Sequence, residues 1–199
     1  MAKELYLIRH GITGWNVDGR FQGHSDIPLN DDGQAQARAA ASALAVVHFD
    51  RILSSDLSRA FQTAQMIAQG RETPVERDVR LRERGFGAWE GLRWEEILAR
   101  FPAAAELNLT DPTAYVPDGG ESFATLVARV RNVLDEVLAR PERRVALVAH
   151  AGCIHAGLYA MFGEDTPSKG VRLLPASITR VTTGGQGPAV VTLNDTSHL

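Results

Sequence analysis

The chain almost lacks cysteine: Cys153 is the single one among 199 residues. That excludes an intramolecular disulfide and any metal site built on several thiolates. Lysine is nearly as scarce. Lys3 and Lys169 are the only lysines within the 21 basic Lys and Arg residues, so positive charge rests on guanidinium groups, whose planar forks suit carboxylates and phosphates. Long apolar runs are missing too; the N-terminal one, Leu5-Tyr6-Leu7-Ile8, stops at Arg9 and His10. A signal peptide and a membrane-spanning helix are therefore not expected, which leaves the cytoplasm. Neither charge sign dominates. With 21 basic and 24 acidic side chains the net charge is −3, so neither nucleic acid nor a membrane is an expected partner, and any phosphate recognition must be local.

What is present is ordinary for a globular protein: 44% hydrophobic and 23% charged residues. The length fits one domain over residues 1–199, with a variable insertion around residues 92–122. Residues 4–8 read as a buried strand, and residues 11–30, rich in Gly, Asn, Asp and Pro, as a long loop of the kind that usually carries function. An alanine-rich helix is expected over residues 31–47, capped by Asp31 or Asp32, then a strand at 51–54. The Ser54-Ser55-Asp56 cluster is expected to cap a helix whose apolar face is Leu57, Ala60, Phe61, Ala64, Ile67 and Ala68. A strand near residues 75–79 and a helix over 92–101, ended by Pro102, precede an alanine- and proline-rich stretch to Gly120 that reads as a variable insertion. A second helical stripe runs from Phe123 to Leu138. RVALVA at residues 144–149 is apolar on both faces, as a central parallel strand requires, and two late strands flank a glycine-rich break at 184–188. Alternating strands and helices predict an α/β fold, with a mostly parallel sheet between helical layers.

Ligands in such folds bind beyond the carboxyl ends of the strands. Two strands end in histidine, at Arg9-His10-Gly11 and at His150-Ala151-Gly152, and a third leads into a helix that carries Arg59 early. Glu83 follows the fourth strand region. Were these strands neighbours, two histidines, two arginines and a carboxylate would converge. A neutral imidazole can attack phosphorus, arginine forks can hold the equatorial oxygens, and a carboxyl group can protonate the departing alkoxide. Each residue alone also has a purely structural reading: a core histidine, a solvated helix arginine, a surface ion pair at Arg82-Glu83-Arg84. His24 either lines the pocket or is simply exposed. His155 stands five residues beyond His150, the wrong offset for a shared metal face. Cys153, Trp15, Trp89 and Trp94 read as packing residues.

Six segments in one order resemble the histidine phosphatase superfamily, also called phosphoglycerate mutase-like: LIRHGITGWN at 7–16, GRFQGHSDIPLNDDG at 19–33, LSSDLSRAFQTA at 53–64, LRERGFGAWEG at 81–91, PDGGES at 117–122 and LVAHAG at 147–152. The resemblance implies an α/β/α sandwich with one mostly parallel sheet and no metal or other cofactor. It makes His10 the phosphoryl acceptor, Glu83 the proton donor and later the base, and Arg9, Arg59 and His150 the ligands of the phosphoryl oxygens. Asn16, Gln22 and Gly23 match further phosphate and substrate contacts. The chain departs from the pattern at Ile12, where Glu or Gln is usual. No lysine or arginine occurs in residues 101–122, where mutases carry basic residues, and Ala151-Gly152 replaces Gly-Asn. These departures, with the short chain, favour a phosphatase acting on a small phosphorylated metabolite, of the broad-specificity or α-ribazole phosphatase kind. The alternatives are a cofactor-dependent phosphoglycerate mutase and a non-catalytic phosphate-binding module. A homodimer is left open.

Overall fold

A computed structural model describes residues 3–110 and 115–199. Six strands form one sheet: β1 (Lys3–Arg9), β2 (Arg51–Ser54), β3 (Val75–Arg77), β4 (Arg144–Ala149), β5 (Ile178–Gly184) and β6 (Gly187–Asp195), in the order β3-β2-β4-β1-β5-β6. The first four in that order run parallel; β5 and β6 are an antiparallel hairpin at one edge. β2, β4 and β1 are thus adjacent, and their carboxyl ends lie side by side.

Alternation in these strands divides the core. Leu5, Leu7, Leu53, Val145, Leu147 and Val181 pack against α6 (Phe123–Ala139) and α7 (Ala151–Phe162). Tyr6, Ile8, Ile52, Ala146 and Val148 pack on the opposite face with Leu44, Phe49, Ala64 and Ile67, the side of α2 (Asp31–Ala43) and α3 (Ser58–Ala68). Both faces are covered, which is why the central strands read as unbroken apolar runs. The stripe on α6 is as expected: Leu126, Val130, Val133, Leu134 and Val137 are its buried residues. The fold is the α/β class with a mostly parallel sheet that the sequence predicts.

Several details differ from expectation. Asn30, not Asp31 or Asp32, caps α2 by accepting from Gly33 N at 2.8 Å. The helix stops at Ala43, because Leu44 and Phe49 turn back into the core and Arg71 donates to the carbonyls of Leu44 and Val47. No side chain of its own flank caps α3, whose cap is Leu57. Asp26 from the long loop does so instead, accepting from Ser58 N at 2.7 Å and Ser58 Oγ at 2.8 Å. That loop also contains a short helix, α1 (Gly14–Val17). β3 ends at Arg77, short of residue 79, and α4 (Trp94–Arg100) starts later than expected. Pro102 not only ends α4 but opens α5 (Pro102–Thr110), its fixed φ suiting a first helical position. The stretch read as a variable insertion is therefore partly helical, while its residues 111–114 lie outside the described ones. A third cluster of Trp89, Ile97, Ala105 and Tyr115 anchors it.

The chain leaving β1 presses directly on α2. A Cβ on Gly33 would lie 2.0 Å from Ile12 O, and one on Gly11 2.4 Å from Gly33 O. Gly33→Ala should therefore destabilise the fold by about 1–3 kcal/mol, as overpacking against backbone does. Urea unfolding would show a lower midpoint at unchanged slope; an unchanged midpoint would mean that the backbone yields there without cost.

Candidate active site

The ends of β1, β2 and β4 deliver His10, Ser55 and His150 to one place. The rings of His10 and His150 stand edge to face with centroids 5.0 Å apart. Both are buried. His10 Nδ1 lies 2.6 Å from the carbonyl of Gly11. A carbonyl only accepts, so Nδ1 carries the proton and Nε2 keeps the lone pair. His150 has the opposite tautomer. Its Nδ1 faces Arg59 Nε at 3.2 Å, which only donates, so Nε2 holds the proton and donates it to Ser55 Oγ at 2.9 Å.

Arg59 is fully buried at the start of α3. Its Nη1 and Nη2 donate to the carbonyls of Ser25 and Gly23 at 2.8 Å each. With Nε on His150, three of the five guanidinium N–H groups are used and two remain for a ligand. Burial lowers its pKa to about 10, against the opposing pull of Glu83, Asp26 and Glu90, so the group stays charged at neutral pH. Arg9 donates through Nη1 to Leu173 O, and its buried Nε has no partner among the described residues. Burial lowers its pKa as well, Glu83 opposing. The same burial, with Arg59 and Arg9 nearby, holds the His10 imidazole well below its usual pKa; burial and Arg59 do the same to His150. Two neutral imidazoles thus sit beside two buried cations.

Of the three consecutive residues Arg82, Glu83 and Arg84, only Glu83 turns to the site. Arg82 pairs with Asp56, and buried Arg84 donates to the carbonyls of Glu121 and Tyr115. Glu83 accepts from Arg84 N at 2.9 Å and from Gly152 N at 3.2 Å, the latter in the first turn of α7. Its position requires Gly152, since a Cβ there would fall 2.3 Å from Glu83 Oε1. The Glu83 carbonyl accepts from Arg129 Nη2 at 2.8 Å and from His24 Nε2 at 2.9 Å. Arg129, on α6, also holds the carbonyls of Arg80 and Arg82, both at 2.7 Å.

Asn16, Gln22 and Gly23 lie in the adjoining loop, where fully buried Thr13 ties Asn16 to Gln22. Thr13 N donates to Asn16 Oδ1 at 3.1 Å, and Thr13 Oγ1 donates to Gln22 Oε1 at 3.0 Å. Both amide NH2 groups, and the Gly23 N–H, have no partner among the described residues and remain available as donors. Gly23 has φ +52°, and a Cβ on it would lie 2.1 Å from Glu90 Oε1. Glu90 was not singled out in the sequence, yet it accepts from the backbone N–H groups of His24, Ser25 and Phe86 and from Ser25 Oγ. Arg129, Asp26 and Ser55 were likewise not assigned to the site. Asp26, Ser55 and Glu90 sit inside the matching segments; Arg129 gave no signal beyond its place on α6.

The remaining candidates separate cleanly. His24 is exposed yet bonded to Glu83 O. His155 lies near enough to Glu83 and Arg9 to feel both, with its pKa lowered chiefly by burial. Cys153 is a buried core residue whose thiol burial pushes up to about 12. Trp89 and Trp94 pack with Phe21 in an aromatic cluster. A groove of about 620 Å³ on α3, lined by Gln34, Gln62, Gln65 and Gln69 among others, carries no charged side chain and is not this site. Among the described residues, no three His, Cys, Asp or Glu side chains gather as metal ligands would, and no helix is long and apolar enough to cross a membrane.

The sequence model of the histidine phosphatase superfamily (branch 1) matches residues 5–196, and the chain belongs to that family. It is 39% identical over 164 residues to a glucosyl-3-phosphoglycerate phosphatase of Mycobacterium tuberculosis, covering 78% of this chain and 73% of the relative. It is 37% identical over 207 residues to a Proteus mirabilis chain named as a phosphoglycerate mutase, GpmB, covering 98% and 94%. The crystal structure of the α-ribazole phosphatase from Shigella flexneri superposes with a TM-score of 0.88 at 27% identity, over 96% of each chain. Relatives in this family are thus small-metabolite phosphatases, with a mutase name among them.

Two buried imidazoles whose folded pKa values lie below the unfolded one have a consequence for stability. Below pH 6.5 the unfolded chain takes up protons that native His10 and His150 do not, so stability falls as pH falls. Each imidazole contributes a slope of at most about 1.4 kcal/mol per pH unit in that window. His150→Asn should melt with a shallower loss than the parent chain between pH 6.5 and 5. Equal slopes would show that His150 is not held neutral.

Proposed function

We propose that this chain is a phosphomonoesterase that hydrolyses small phosphorylated metabolites through a phosphohistidine on His10. The carrying observation is the 2.6 Å contact between His10 Nδ1 and Gly11 O: a carbonyl only accepts, so the proton belongs on Nδ1 and the Nε2 lone pair is free on a ring that burial keeps neutral. In the first step Nε2 attacks phosphorus, the P–O bond to the leaving group breaks, and Glu83 gives its proton to the departing alkoxide. In the second, ionised Glu83 takes a proton from water, the hydroxide attacks phosphorus, and the P–N bond breaks. Phosphate leaves, and His10 and Glu83 return to their starting forms.

Around the phosphoryl group, the free N–H groups of Arg9 and Arg59 spread over the equatorial oxygens, where negative charge accumulates. His150 Nε2–H, otherwise on Ser55 Oγ, is a further donor for which a phosphoryl oxygen competes. Asn16, Gln22 and the Gly23 amide add neutral donors. In this reading guanidinium groups supply the positive charge and no metal is needed. Water is favoured over a second phosphoryl acceptor because residues 101–122 contain no lysine or arginine to hold a sugar-acid intermediate. A cytoplasmic setting belongs to the same reading.

The test is phosphate release from a panel of phosphomonoesters in excess chelator. Release should survive chelation and vanish in His10→Ala. Glu83→Gln should slow alkyl phosphates by about 10²–10⁴-fold and aryl phosphates, whose leaving groups need no proton, far less. Equal losses on both would remove Glu83 from the acid role. Conversion of 3-phosphoglycerate to its 2-isomer without net phosphate would establish a mutase, and phosphate binding without any turnover a binding module.

A further inference from the structure

The edge hairpin reaches the phosphate site through one side chain. On β6, Asp195 pairs with Ile178 and Thr192 with Arg180, so Leu193 and Asn194 together stand opposite the single residue Thr179. That is a β-bulge, and Asn194 lies in it at φ +55°, a left-handed conformation that asparagine adopts more readily than most residues. Thr179, buried and paired with Leu7 on β1, accepts from Asn194 N at 3.0 Å through Oγ1. The bulge is thereby indexed to the strand that ends in Arg9. Bulges beside active sites re-aim side chains, and this one turns the Asn194 amide onto the segment that follows Arg172.

Both ends of that amide are used there. Nδ2 donates to Arg172 O at 3.1 Å, and Oδ1 accepts from Leu174 N at 2.7 Å. Between these anchors lies Leu173, whose carbonyl accepts from Arg9 Nη1. Among the described residues this is the only acceptor the Arg9 guanidinium has, and its buried Nε has none. Arg59 is held by three bonds, whereas Arg9 is aimed by one carbonyl and by whatever fixes that carbonyl. The segment then meets β1 twice more: Ala176 N donates to His10 O, and Ser177 O accepts from Arg9 N, both at 3.0 Å. His198 Nε2 donates to Ala176 O at 3.2 Å and ties down this far end. We propose that Asn194, assisted by His198, is a positioning residue: it clamps both sides of Leu173 and so fixes the carbonyl that aims Arg9 at the phosphoryl oxygens. This rests on the phosphate-site reading given above.

A double-mutant cycle on kcat/KM for an aryl phosphate tests the proposal, each value being referred to folded protein by urea titration at the assay temperature. Asn194→Gly keeps the positive φ and loses both amide bonds. It should lower kcat/KM about tenfold in the parent chain, as a misplaced clamp does. In an Arg9→Ala background, where no guanidinium is left to aim, the same change should cost less than about twofold. His198→Ala leaves the bulge intact and should show the same dependence on Arg9 with a smaller loss, so it carries the test if Asn194→Gly does not fold. A purely structural role would give equal losses in both backgrounds, and that result overturns the proposal. So do variants that match the parent. In either case the phosphate site stands, because the parent turns over and Arg9→Ala slows it. An Arg9→Ala chain as fast as the parent, or a parent that hydrolyses no aryl phosphate, overturns the phosphate-site reading and the proposal together.

Discussion

The site depends on keeping an imidazole neutral next to two buried cations. Removing His10 from water disfavours its charged form, and the fields of Arg9 and Arg59 disfavour it further. Such cations are costly to bury unless their donors are met. Arg59 meets this by three bonds, to Gly23 O, Ser25 O and His150 Nδ1, which also fix the tautomer of His150. The loop that supplies two of those acceptors must therefore be rigid. Glu90 makes it so, with four donors converging on one carboxylate from His24, Ser25 and Phe86. Asp26 ties the same loop to the first turn of α3, where Arg59 begins. Gly23 is required because only hydrogen fits between its backbone and Glu90.

A second support fixes the carboxylate. Glu83 belongs to a segment with little regular structure of its own, between β3 and α4, and its precision comes from outside. Arg129 reaches over from α6 to three carbonyls of that segment while pairing with Glu121. Gly152 then offers its N–H from the first turn of α7. One helical layer thus positions the Glu83 carboxylate at the strand ends, through the Arg129 side chain and the Gly152 N–H, and the carboxylate is held by backbone N–H groups instead of by either neighbouring arginine. On the other side of His10, the segment from Arg172 to Ala176 is pinned by edge-strand Asn194, and because its Leu173 carbonyl receives Arg9 Nη1, the antiparallel hairpin also helps hold Arg9 in place.

Much of this was legible from residue order alone. β2 and β4 fall on the residues their apolar runs predict, and the α6 stripe buries the side chains its spacing requires. The two strand-end histidines and the arginine at the start of α3 do lie together, since β1, β4 and β2 are neighbours. Less legible were features set by partners distant in sequence. The cap of α3 comes from Asp26, 32 residues before Ser58. The end of α2 depends on Arg71, and α5 rests on the cluster around Trp89 and Tyr115. Local capping preferences could not anticipate these, because they reward the nearest polar side chain and the fold supplied a farther one.

The sequence by itself determined the class of fold and the kinds of chemical group available. Hydrophobic period fixes which residues must be covered, and residue type fixes what can donate, accept or attack. Small net charge, with arginine carrying nearly all the positive charge, also implied that any phosphate recognition would be local. Only the tertiary structure decided which nitrogen of His10 is free, which way His150 is protonated and which of Arg82, Glu83 and Arg84 faces the site. Those depend on where carbonyls, guanidinium groups and helix N–H groups from distant segments come to rest. A hydrogen-bond partner acts over about 3 Å, a scale on which chain order is silent and packing decides.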